Sequence, residues 1–200
     1  MSGKSAARVT DPIALCLMRS TRKPADMKKL LAVLLIIFCA SCAKDHSVPP
    51  ANLNFLSVEK EGNSSLYAVY YGSDVDLLNL FNRGKRVGAA STMLECALGD
   101  DQDFSITNRL RYSAYGVIDE DASNKARGRF NYVTSAFLRQ TPDNGSTQDN
   151  LSVPELNALL SQRKSVPCKV VVTAYGYKPY YSNTMNIPTA DLLREINKPE

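Results

Sequence analysis

Leu30–Phe38 is an uninterrupted run of nine apolar residues, entered through Lys28-Lys29 and left through Ala40-Ser41-Cys42. A secretion signal needs a short basic start, an apolar run of about 7–15 residues and small residues before the cut. A helix that stays in a bilayer needs roughly 20 apolar residues, so this run is too short to remain as an anchor. It predicts that the part of the chain that folds lies beyond residue 41 and folds outside the cytosol. Residues 1–26 are polar, basic and without periodicity, ending in Pro24-Ala25-Asp26. They do not fit in front of such a signal, and we expect translation to begin at Met27, with 1–26 a misassigned extension.

Residues 27–42 resemble a bacterial lipoprotein signal, whose lipobox reads roughly L-[AS]-[GA]-C. Ala40, Ser41 and Cys42 fit its last three positions, while Cys39 stands where the family usually has Leu. The resemblance implies diacylation of Cys42, with palmitate among the acyl chains, cleavage before it, and acylation of the new amino terminus. Cys39 is the poorer acceptor, because bulky Phe38 would precede the cut. In enterobacterial sorting, Asp after the lipidated Cys retains a lipoprotein in the inner membrane. Here that residue is Ala43, so the implied site is the periplasmic face of the outer membrane, with inner membrane and cell surface left open. Residues 27–41 are then the signal, 42–54 a lipidated tether and 55–200 the globular domain. Ala43–Asn54 has no apolar period and contains Pro49-Pro50. Twelve such residues extend at most about 40 Å, and the lone histidine, His46, reads as a solvated linker side chain.

The net charge of +4 belongs to the leader. Residues 1–41 carry seven Lys/Arg and two Asp/Glu, hence +5; residues 42–200 carry 17 and 18, hence −1. A nucleic-acid partner calls for a basic domain with clustered Lys/Arg, so none is expected. The mature 159 residues suit one domain. Of five cysteines, Cys16 and Cys39 are removed and Cys42 is lipidated, leaving Cys96 and Cys168. Two thiols in an oxidising compartment most simply pair as a disulfide; free buried thiols are the alternative. No C-x-x-C motif points to redox chemistry.

The pattern predicts an α+β fold, mainly an antiparallel sheet of about five to six strands with two to three short helices. Leu53–Lys60 and Leu66–Tyr71 flank a Gly62-Asn63-Ser64 turn as a hairpin. Ser73-Asp74-Val75-Asp76 is expected to cap a short helix bearing Leu77, Leu78, Leu80 and Phe81, ended by Gly84. Thr92–Leu98 alternates with Leu94, Cys96 and Leu98 on one side. Arg109–Ile118 and Arg129–Leu138 also alternate, and the three read as a half-buried meander. Thr141–Asn150 lacks any hydrophobic residue and reads as a mobile loop. Ser152-Val153-Pro154-Glu155 is a capping box for a helix ending near Lys164. Lys169–Tyr175 is the most apolar strand, followed by a tyrosine-rich turn and a terminal helix, Pro188–Ile196. The pattern D-L-L-x-x-[FI]-N occurs at both Asp76–Asn82 and Asp191–Asn197.

No catalytic site is expected, because hydrolysis by Ser or Cys needs a positioned base such as His and the folded part has none to offer. A carboxylate enzyme built on Glu95 and Glu155 is a minor alternative that nothing in the sequence places together. Asp100, Asp101 and Asp103 do not match an EF-hand, whose twelfth position is here Arg111; they read as an acidic turn, and no metal or cofactor is expected. Gly84-Lys85-Arg86 lacks the phosphate-loop spacing, and with Arg83 it reads as a solvated basic turn. Two candidate binding surfaces remain. One is the arginines Arg109, Arg111 and Arg129, joined by Arg127 and Arg139, on the outer sheet face. The other is Tyr175, Tyr177, Tyr180 and Tyr181. Arg and Tyr are enriched at interface hot spots. The expected partners are a membrane, through the lipid on Cys42, and another envelope protein. Inhibition of a secreted toxin, as immunity proteins do, and binding of cell-wall glycan are the alternatives.

Overall fold

Period-two burial organises the domain. The computed structural model describes residues 43–81, 89–122, 130–142, 145 and 147–199. In chain order these form β1 (Leu53–Lys60), β2 (Leu66–Ser73), β3 (Ala89–Ala97), β4 (Tyr112–Glu120), β5 (Phe130–Gln140), β6 (Asp149–Asn150), a helix α1 (Val153–Leu160), β7 (Ser165–Ala174), β8 (Tyr180–Tyr181), β9 (Met185–Pro188) and a helix α2 (Thr189–Ile196). The strands make one antiparallel sheet in the order β1-β2-β5-β4-β3-β7-β8, with β6 on β5 and β9 on β7. It curls into a half-barrel, a single domain with mostly antiparallel strands and two short helices.

The concave face holds the main core. Val58, Tyr67, Val69, Leu94, Cys96, Ala114, Ile118, Ala136, Leu138, Val170 and Val172 are buried there against Leu156, Leu160, Leu192 and Ile196 of the helices. Each buried aliphatic side chain contributes roughly 1.5–3 kcal/mol. Two buried tyrosines keep their hydroxyls satisfied, as buried polar atoms must be. Tyr71 shares a 3.1 Å hydrogen bond with the Thr134 hydroxyl. Tyr132 accepts from the Leu77 amide at 2.8 Å. Burial pushes the Tyr71 phenol up, and Tyr132 is pushed up to about 12 for the same reason.

Cys96 and Cys168 are direct partners in the β3–β7 register and both point into this core. They stand at disulfide distance, 2.03 Å between sulfurs, across 72 residues of sequence. Closing a loop of that length removes unfolded-state entropy worth about 4 kcal/mol on the chain-entropy model.

The convex face has a smaller cluster of its own, Ala97, Phe104 and Leu110. This explains why Val171, on the outward face of β7, is buried like its inward neighbours. Val170 and Val172 face the helices, while Val171 lies under the segment that carries Phe104.

Four expectations need correction. The described residues form nine strands, not five to six; six are long, and β6, β8 and β9 have two, two and four residues. Ser73–Phe81 is not a helix. The Ser73 hydroxyl accepts from the Val75 amide, and Asp76 Oδ1 accepts from the amides of Leu78 and Asn79. The Leu77 amide goes to Tyr132, so side chains have taken the donors a helix would use. Asp149–Asn150, read as the end of a loop, pairs with β5. The helix expected to reach Lys164 stops at Leu160.

Gly116 lies where β4 crosses β5, and a Cβ there would overlap the Ser135 carbonyl oxygen. Because backbone, not a flexible side chain, blocks the space, Gly116→Ala is expected to cost ~1–3 kcal/mol. Guanidinium denaturation checks this; an unchanged midpoint would contradict the β4–β5 register.

Candidate functional site

The convex face carries an open cleft of about 440 Å³. Its floor is the outward face of β3 and β7, where Ser91, Met93 and Glu95 stand beside Thr173 and Val171. These are the positions that alternate with Leu94 and Cys96, so the periodicity that buries the disulfide puts Glu95 in the cleft.

One wall is the segment from Phe104 to Leu110. Side chains brace it. Asp101 accepts from the Asp103 amide at 3.0 Å and from the Asn108 side chain at 2.9 Å, and these bonds hold its carboxyl below the usual range. Asp103 accepts from the Ser105 amide, and the Tyr181 hydroxyl accepts from the Ile106 amide at 3.1 Å. Asp100 pairs with Arg163. Lys169, the register partner of Glu95, lays its ammonium 5.8 Å from the centroid of the Phe104 ring.

The opposite wall is Tyr115 and Gln148. Arg139 fixes it by donating to the Tyr115 hydroxyl and to Gln148 Oε1, both at 2.9 Å, with its guanidinium 4.2 Å from the centroid of the Phe137 ring. Stacked and hydrogen-bonded in this way, Arg139 positions other side chains and is not a free contact.

Glu95 is the group in the cleft with chemical potential. It is half-buried, and among the described residues its carboxylate has neither hydrogen bond nor ion pair. Burial alone pushes its pKa up, because a charge removed from water without compensation is penalised. Such a group awaits a cation or a hydrogen-bond donor.

The chain matches no family model, no curated protein and no solved structure.

The binding residues expected from the sequence separate. Arg109 lines the cleft, exposed, its guanidinium donating to the Gly145 carbonyl at 2.8 Å. Arg111 is exposed with its guanidinium 5.5 Å from the centroid of the Tyr112 ring, outside the cleft lining. Arg129, like Arg127, the Arg83–Arg86 turn and Cys42, lies outside the described residues. Tyr175 is 94% exposed. Tyr177 stacks on Phe81, ring centroids 5.1 Å apart. Tyr180 is buried, accepting from the Ala51 amide at 2.6 Å and donating to the Pro49 carbonyl at 3.0 Å. Tyr181 holds the cleft wall. Three of the four tyrosines are therefore structural.

The same bonds correct the reading of the tether. From Lys44 onward the segment is fastened to the domain. The Lys44 amide donates to Gly176, and Lys44 accepts from the Lys178 amide. His46 is half-buried, edge-on to Tyr180 at 5.3 Å, with Nε2 3.3 Å from the Pro179 carbonyl oxygen. Ala51 is in the core. Glu155 does not join Glu95. It accepts from the Ser152 amide at 2.8 Å and its hydroxyl at 2.6 Å, bonds that lower its pKa and start α1. Among the described residues no three His, Cys, Asp or Glu side chains gather as a metal ion requires, and no helix is long and apolar enough to cross a membrane.

Glu95 has its folded pKa above its unfolded value. The stability its proton provides is therefore full below the unfolded pKa, about 4.3, and is lost as pH rises through the folded one. Glu95→Gln is expected to raise the melting temperature at pH 7 and to leave it unchanged near pH 3. Thermal unfolding at both pH values checks this; a loss of stability at pH 7 would show that the carboxylate has a partner after all.

Proposed function

We propose that this chain is a bacterial lipoprotein, anchored through Cys42 to the periplasmic face of the outer membrane, whose domain binds another envelope protein without catalysis. The leader supports the anchoring, through the basic start, short apolar run and small residues ahead of Cys42. The Cys96–Cys168 pair at disulfide distance suits an oxidising compartment.

The observation that carries the binding reading is Glu95, half-buried at the floor of an open cleft and without a partner among the described residues. The complementary group is a Lys or Arg side chain of the partner. Its methylenes match Met93, Val171 and Phe104, and its charge matches the carboxylate. A buried charge pair formed across an interface sets register and specificity more than raw affinity.

A photo-crosslinking side chain in place of Ile106, at the lip of the cleft, is expected to capture one envelope protein in the native membrane. Glu95→Arg is expected to abolish that capture. Because only ionised Glu95 attracts a cation, capture should strengthen as pH rises through its raised pKa. Equal capture by the Glu95→Arg variant would remove the cleft from the account. Palmitate labelling lost in Cys42→Ala is the expected result for the anchor, and labelling of neither protein would refute it.

A further inference from the structure

We infer that the turn Tyr175–Lys178 lies on the phospholipid surface and fixes which end of the domain faces the membrane. This rests on the reading of Cys42 as the lipidated residue and goes beyond it, since a lipid on a free tether would orient nothing.

The argument is one of chain length. Only Ala43 separates Cys42 from Lys44, a reach of at most about 7 Å over the two steps. Lys44 is already part of the domain. Its amide donates to the Gly176 carbonyl at 2.8 Å and its carbonyl accepts from the Lys178 amide at 2.9 Å, a parallel bridge centred on Tyr177. Lys178 Nζ also pairs with Asp45 at 2.8 Å. Behind this bridge, His46 sits edge-on to Tyr180, and the Tyr180 hydroxyl binds both Pro49 and Ala51. Acyl chains on residue 42, so short a chain length from Lys44, would therefore enter the bilayer beside the turn.

The turn is built for that place. Gly176, at φ +78°, reverses the chain and leaves Tyr175 standing out. At 94% Tyr175 is the most exposed large apolar side chain among the described residues. At a membrane interface, an aromatic ring with a polar tip is a favoured one. Lys44, exposed beside the turn, suits anionic headgroups, while the Lys178 charge is taken by Asp45.

The strand order fixes the rest of the orientation. Antiparallel pairing puts the end of β7, the end of β2 and the start of β1 at one end of the sheet. The β1–β2 turn, with exposed Asn63, is at the other, roughly 25 Å away along eight-residue strands.

The chain has no Trp, so one substitution creates a lone fluorophore. Lipidated Tyr175→Trp and Asn63→Trp proteins, extracted from membranes, would each be reconstituted into phosphatidylethanolamine–phosphatidylglycerol vesicles containing brominated phosphatidylcholine. We expect the indole emission of the Tyr175→Trp protein to shift to the blue and to lose most of its intensity, and that of the Asn63→Trp protein to do neither. Both positions are exposed, so neither change disturbs the fold. Vesicle flotation with both variants unquenched would overturn the inference and leave the anchor standing. Equal quenching of the two would overturn the fixed orientation. Protein that does not float with the vesicles would bring down the anchor, and this inference with it.

Discussion

Glu95 opposite Lys169 and Cys96 opposite Cys168 are adjacent rungs of the β3–β7 ladder, and they point to opposite faces of the sheet. Most of the structure depends on this register. On the concave side it sets the two sulfurs against each other and places Leu94, Val170 and Val172 under the helices. On the convex side it sets Met93 beside Val171 as a floor and leaves Glu95 in the cleft. A slip of one residue would exchange the two faces, exposing the cysteines and burying a carboxylate without a partner. The core and the site are therefore two results of one pairing.

The second organising contact is the Tyr180 hydroxyl. It donates to Pro49 and accepts from Ala51, so the segment up to Ala51 runs along the domain surface. Anchored at Cys42 as proposed, a domain held this closely would have little freedom to turn about the anchor. The side from which a partner reaches the cleft then becomes a property of the fold and not of a linker. Neighbouring tyrosines hold the wall of the cleft and this segment, since Tyr181 binds the Ile106 amide while Tyr180 binds Pro49 and Ala51.

What could be read from the sequence was mostly local and periodic. The β1–β2 hairpin, the β3–β4–β5 meander, the capping-box helix and the inward Cys96 all follow from period-two or capping patterns over a few residues. The misses came from distant partners. D-L-L-x-x-[FI]-N gives a helix at Asp191, where Leu192 and Ile196 bury one face. At Asp76 the same letters give turns, because Asp76 binds its own following amides and Tyr132, some 55 residues away, takes the amide of Leu77. The short strands β6, β8 and β9 exist through pairing and not through propensity. The fastening of Lys44–Ala51 needs a tyrosine about 130 positions on. The cleft needs the 100–110 segment to fold over the sheet, held by Asx-type bonds and Tyr181. Only one part of the cleft was available beforehand. The alternation that put Cys96 inward also put Glu95 outward.

The β3–β7 register and the proposed extracytoplasmic compartment make one joint demand on the molecule, and peptide mapping tests it most directly. The protein would be isolated from the native envelope with free thiols blocked, then digested without reduction. The account predicts a single cross-linked species joining the peptide of Cys96 to the peptide of Cys168. Recovery of both peptides with alkylated, unpaired cysteines would contradict it.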